Sequence, residues 1–224
     1  MERTETKQLN LFIRIVLWVI MLFLALMPST IVVFASLIEG TPGVLVGAVV
    51  QLALLALVVF IAAKSNILTN NGRSFMGRGM KLSTSIGIAV GAGIFLRVWV
   101  VVLNMIIPIN TANDQAIQSI AGETSGLLMF FAMGIMAPVI EEIVFRGLIF
   151  KFFFRKTPIL AYFLSSLLFT LIHMPTDLIS FVTYGSLALV MGLVYFKTRR
   201  IEMSILTHFI NNLLPAIFVG FGLM

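Results

Sequence analysis

Cysteine is absent from this 224-residue chain, which excludes a disulfide framework, a thiolate metal site and a cysteine nucleophile. Charge is scarce as well. Only 11% of the residues are Asp, Glu, Lys or Arg, whereas 60% are hydrophobic, and the mean hydropathy of +1.10 lies far outside the range of soluble globular domains. The net charge of +6 is accounted for by basic connections flanking membrane spans, so no nucleic-acid partner is expected. Period-two alternation is missing from the apolar runs, which excludes a transmembrane barrel. What remains is an all-α, multi-pass helical bundle whose first partner is the lipid bilayer of a cell membrane.

Apolar segments of roughly 20 residues, enough to cross a bilayer as helices, occur about seven times: Leu11 to Leu37, Gly43 to Ala63, Leu82 to Ile107, Gly126 to Phe150, Pro158 to Met174, Leu178 to Phe196 and Met203 to Leu223. The fifth is short. The first is too long for the apolar core of a signal peptide and carries Arg14, so it reads as a retained span with Arg14 snorkelling to the near surface. Between spans, one set of connections holds Arg3 and Lys7, then Lys64, Arg73, Arg78 and Lys81, then Lys151, Arg155 and Lys156, then Lys197, Arg199 and Arg200. The alternate set holds Glu39, Asp114, Glu123 and Asp177, with no Lys or Arg. The positive-inside rule then puts the N-terminus in the cytoplasm and requires an odd number of spans. Asn110 to Ser125 reads as a polar outer connection. Gly43 with Gly47, and Gly87 with Gly91, read as small faces for close helix packing.

Seven ionisable residues fall inside spans: Arg14, Arg97, Glu141, Glu142, Arg146, His173 and His208. A charge at bilayer depth costs roughly 3 kcal/mol, so the three within Glu141 to Arg146 must pair or face a wet cavity. Glu142 and Arg146 are spaced i, i+4 for an ion pair, whereas Glu141 points about 100° round the helix and stays free. A free carboxylate in a low-dielectric cavity suits a general base acting on water. His173 follows Phe169 by four residues, and His208 precedes Asn212 by four, so that imidazole and amide project from one face as donors to a developing oxyanion. Structural locks between helices or a proton pathway are the alternatives for each residue taken singly.

The three motifs EEIVFR (Glu141 to Arg146), FTLIH (Phe169 to His173) and HFINN (His208 to Asn212) resemble the EExxxR, FxxxH and HxxxN signatures of the CPBP family, the CAAX proteases and bacteriocin-processing or abortive-infection membrane proteins. The likeness runs from about Gly126 to the C-terminus. It implies a four-helix catalytic core over residues 126–224, preceded by three helices and their loops over residues 1–125. It also implies an intramembrane endopeptidase, glutamate-dependent or metal-dependent, acting on a membrane-associated peptide or protein, in a chain expected to be bacterial. By that resemblance Glu141 activates the water with His173, His208 and Asn212 form the oxyanion site, and Glu142 and Arg146 support them. No cofactor is firmly expected, because an HExxH motif is missing and asparagine stands in the fourth place. Were a metal bound, zinc on Glu141, His173 and His208 is the set. The alternative is a non-catalytic membrane protein such as a bacteriocin self-immunity factor.

Overall fold

The computed structural model describes residues 10–68, 80–107, 111–121 and 125–223. Arg3, Lys7, Arg73, Arg78 and Glu123, used above for orientation, lie outside them. Among the described residues there is no strand, and the helices are α1 (Leu11–Ser36), α2 (Thr41–Lys64), α3 (Leu82–Ile106), α4 (Ala112–Ala121), α5 (Gly126–Phe153), α6 (Pro158–Ile172), α7 (Leu178–Thr198) and α8 (Ile201–Gly220). Six of them are long and apolar enough to cross a membrane, and α6 is a shorter apolar helix. Together these seven match the seven runs of the sequence.

The outer helices α1, α2 and α3 keep large apolar side chains such as Phe12, Phe60 and Phe95 exposed, as expected where the neighbour is lipid rather than protein. Helix α5 is different. Every residue from Glu142 to Phe150 is buried, and a helix buried all round must run through the middle of its bundle. Its backbone alternates between α and π geometry, with π stretches at Ala132–Met136 and Ile143–Phe153. Pro138 supplies a reason for the first, because it has no N–H to give the carbonyl four residues back and its ring crowds that group, which the wider turn relieves. The end of α5 is tied down by cations: Arg14 donates to the Phe152 carbonyl and Lys151 to the Ile67 carbonyl. Arg14 is thus held by a backbone oxygen.

Polar side chains link the helices at depth. The Gln51 amide donates to the Leu128 carbonyl at 3.2 Å, the Trp99 indole to Ser186 Oγ at 2.9 Å and the Thr207 hydroxyl to the Ala89 carbonyl at 3.1 Å. Of the two glycine pairs read as packing faces, Gly43 and Gly47 do lie against the neighbouring Ala35, Ile38 and Leu128. Gly87 and Gly91 do not: a Cβ at either would meet nothing within 4 Å. The close approach on α3 occurs at Gly93 instead, where a Cβ would stand 2.7 Å from the Ile210 Cβ and 2.9 Å from the Thr207 carbonyl oxygen of α8.

The connection read as a polar loop contains α4. A reciprocal cap starts it, with the Thr111 amide donating to Asp114 Oδ2 at 3.1 Å and the Asp114 amide to Thr111 Oγ1 at 3.0 Å. The Thr-x-x-Asp spacing is a capping-box signal that the sequence displays. Helix α6, at 15 residues, rises about 22 Å against a hydrocarbon core of about 30 Å. Pro175 prevents its continuation, and Met174 turns the chain at a left-handed φ of 49°. His173 therefore ends α6 short of the far surface, and Asp177 with Ser180 starts α7 by a second capping box.

Candidate active site

The motif residues form two adjoining groups. In the first, Glu142 is fully buried on α5 and forms an ion pair with Arg146, one turn on, whose Nη1 lies 3.2 Å from Oε1. His208 Nδ1 of α8 approaches the same oxygen at 3.2 Å, and the Ser204 hydroxyl donates to Oε2. Arg146 in turn donates through Nη2 to the Ala188 carbonyl of α7 at 2.9 Å and stacks over the Phe169 ring of α6, 4.6 Å from its centroid. One buried carboxylate thereby gathers donors from two helices, and its arginine reaches two more. A buried ion pair of this sort contributes little net stability when intact, but loss of one partner leaves an uncompensated charge.

The second group faces a cavity. Glu141, next in the chain but turned away from Glu142, places Oε2 3.9 Å from His173 Nε2. That oxygen is buried and has no hydrogen-bond partner. The imidazole is held between Phe169 and Tyr184, with ring centroids 4.6 and 4.5 Å away. Its Nδ1 lies 2.7 Å from the Phe169 carbonyl; because a carbonyl can only accept, Nδ1 carries a proton, and in the neutral form of the ring Nε2 is an acceptor. Two acceptors 3.9 Å apart repel unless a donor comes between them.

The cavity encloses about 430 Å³ and is lined by Glu141, His173, His208, Asn211 and Asn212, with Phe169 between the two groups. Glu142 and Arg146 stand behind its wall. Asn212 donates from Nδ2 to the Met133 carbonyl at 3.2 Å, which uses one of its two N–H bonds, and accepts from Asn211 Nδ2 at 3.0 Å. From Glu141 and His173 the lining runs through Arg97 and Tyr184 to Thr111, Asp114 and Gln118. This is the end of the bundle that carries Glu39, Asp114 and Asp177, opposite Lys64, Lys151 and Arg200. Ser204, Tyr184 and Asn211 escaped the reading of the sequence. A serine four residues before His208 was visible, but only the packing of α8 on α5 gives it a carboxylate to meet.

A metal finds no set here. Among the described residues no three His, Asp or Glu side chains converge as a cation would require. His208 is turned onto Glu142 and its companions, whereas His173 faces Glu141. Glu141, His173 and His208 as placed do not fit a zinc ion.

Fold and site together define a multi-pass helical membrane protein with a polar, carboxylate-bearing cavity inside the bundle. Residues 123–214 match the family described as type II CAAX prenyl endopeptidase Rce1-like, and this matched stretch contains the three motifs singled out in the sequence. The chain is also similar to three bacterial proteins. It is 31% identical over 103 residues to UPF0177 protein YvdC of Lactococcus lactis, covering 46% of this chain and 39% of that one. It is 37% identical over 90 residues to UPF0177 protein YbdI of the same organism, covering 40% and 48%. With the Bacillus subtilis protein named "Putative membrane peptidase YdiL" it shares 32% identity over 101 residues, covering 45% and 40%. The chain thus spans less than half the length of these curated relatives. No solved structure matches it.

Proposed function

We propose that this chain is an intramembrane endopeptidase that hydrolyses a peptide bond of a membrane-associated peptide or protein with a glutamate-activated water. The observation that carries this reading is the Glu141 and His173 pair, two acceptors 3.9 Å apart, one of them a buried oxygen without a partner, on the wall of one cavity. A water between them donates one O–H to each and turns a lone pair toward the substrate carbonyl. Glu141 takes the proton as the C–O bond forms. The oxygen that becomes negative is met by the second N–H of Asn212 and by His208 Nε2. With Nδ1 donating to Glu142, Nε2 bears a proton only in the imidazolium form, so this role requires a charged His208 with Glu142 as its counter-ion. The proton on Glu141 then passes to the amide nitrogen, the C–N bond breaks, and Glu141 returns to its ionised state. Glu142, Arg146 and Ser204 position His208 without touching substrate.

The family match and the peptidase name of the Bacillus relative support a membrane protease of the CAAX type. The charge pattern and the course of the cavity support access from the outer side, so that the substrate is a peptide segment presented at the outer leaflet. Comparative peptidomics of membranes carrying the wild type and Glu141→Gln tests the mechanism. Peptides that vanish in the variant are expected; an unchanged set would sink it. Protection against a bacteriocin that survives Glu141→Gln would favour the immunity-factor alternative.

A further inference from the structure

Arg97 is the one cation of α3, set among apolar residues from Leu82 to Ile106 and about 14 Å by helical rise from the end of the helix. It lines the same cavity as Glu141 and His173. Its Nε is buried without a hydrogen-bond partner, and among the described residues no carboxylate lies within ion-pair distance of its guanidinium. Asp114 acts on it only through space, since Asp114 is engaged in capping α4 against Thr111. The contrast with Arg146 is instructive. Arg146 is fully buried and has a carboxylate, a carbonyl and an aromatic face around it. A guanidinium at membrane depth that points into a cavity and lacks those partners is matched to an anion that arrives from outside the fold, and its planar fork suits a carboxylate.

We propose that Arg97 is the carboxylate-binding residue of the substrate cavity, so that the protein selects peptides bearing a carboxylate close to the bond presented to Glu141. This rests on the cavity's being the substrate site. The carboxylate comes either from an acidic side chain or from a free peptide C-terminus, and the chemistry at Arg97 is the same for both.

The test measures binding, with full-length Glu141→Gln protein in lipid nanodiscs, so that it is independent of cleavage. The probes are fluorescently labelled apolar decapeptides: one with a free C-terminus and no acidic side chain, one amidated with a single Glu, and one amidated with Gln in its place, each corrected for empty nanodiscs. One or both carboxylate peptides should bind ~10- to 100-fold more tightly than the neutral one, the ratio that a charge-assisted hydrogen bond of ~1.5–3 kcal/mol gives. Which of the two does so identifies the source. Arg97→Gln should remove the preference and Arg97→Lys should keep part of it. Equal binding of all three peptides, or a preference that persists in Arg97→Gln, overturns the proposal. Because the peptide comparison is made within one protein, it stands even if Arg97→Gln fails to fold. Loss of the endopeptidase reading would appear separately, as cleavage that survives Glu141→Gln.

Discussion

Glu142 and His208 meet at 3.2 Å, although 66 residues separate them in the chain and they stand on different helices. This contact is the pivot of the buried half of the site. It joins α5 to α8, and it turns the His208 ring so that only Nε2 is left for the cavity.

Removal of one partner from this group should cost more than removal of both. Arg146→Met leaves Glu142 buried beside His208 and Ser204 with its main counter-charge gone, and is expected to destabilise the protein by about 3–5 kcal/mol. Arg146→Met combined with Glu142→Gln should recover a substantial part of that loss. Unfolding of the purified protein in mixed micelles measures both, and additive losses would show that the pair is not coupled.

The two neighbouring glutamates should separate activity from stability. Glu141 has a buried oxygen without a partner, so Glu141→Gln should leave unfolding unchanged or raise its midpoint while abolishing peptide cleavage. Glu142→Gln should do the reverse in order, lowering the midpoint first, because Arg146 loses its counter-charge and the contact with His208 loses its anionic partner. Equal effects of the two on the midpoint would contradict the division into a cavity group and a buried group.

Glycines on α3 offer a test of the packing that holds the cavity's wall. Gly93→Ala places its Cβ 2.7 Å from the Ile210 Cβ and 2.9 Å from a backbone oxygen, which α8 relieves only by moving away. Gly87→Ala meets nothing, and should stabilise by about 0.5–1 kcal/mol through helix propensity. Unfolding midpoints that shift the same way for both would show that α3 and α8 do not approach as described.

The cap of α7 should depend on acid. The hydrogen bond from the Ser180 amide holds the exposed Asp177 carboxyl below its ordinary value of 3.8. Its contribution is complete above the unfolded value and is lost as the pH falls through the lower folded one. The Ser180 amide should therefore lose protection from hydrogen exchange only in strong acid, whereas Asp177→Asn, which caps without titrating, should show no such step.

The Glu142 and Arg146 ion pair was legible from spacing alone, because a single helix fixes what lies four residues apart. The free direction of Glu141 was legible for the same reason. Gly87 and Gly91 were misread, since the small-residue pattern says that a helix can be approached and not that anything approaches it. The π geometry of α5 also escaped: periodicity in an all-apolar run carries no phase from which a widened turn can be read. The helix α4 had a readable cap, but its short, weakly apolar span looked like a loop.

By itself, the sequence determined that this is a helical membrane protein of about seven spans with its charges sorted to two sides, because hydrocarbon leaves helices as the economical form for such runs and charge is costly wherever water is absent. It also determined which residues are expensive enough at depth to need a reason. Which partners meet was decided only by tertiary packing: His173 reaches Glu141 because α6 ends early, and His208 takes Glu142 because α8 crosses α5 at Ser204. Contacts between helices depend on rotation and depth, and neither is encoded in the spacing of residues along one strand of chain.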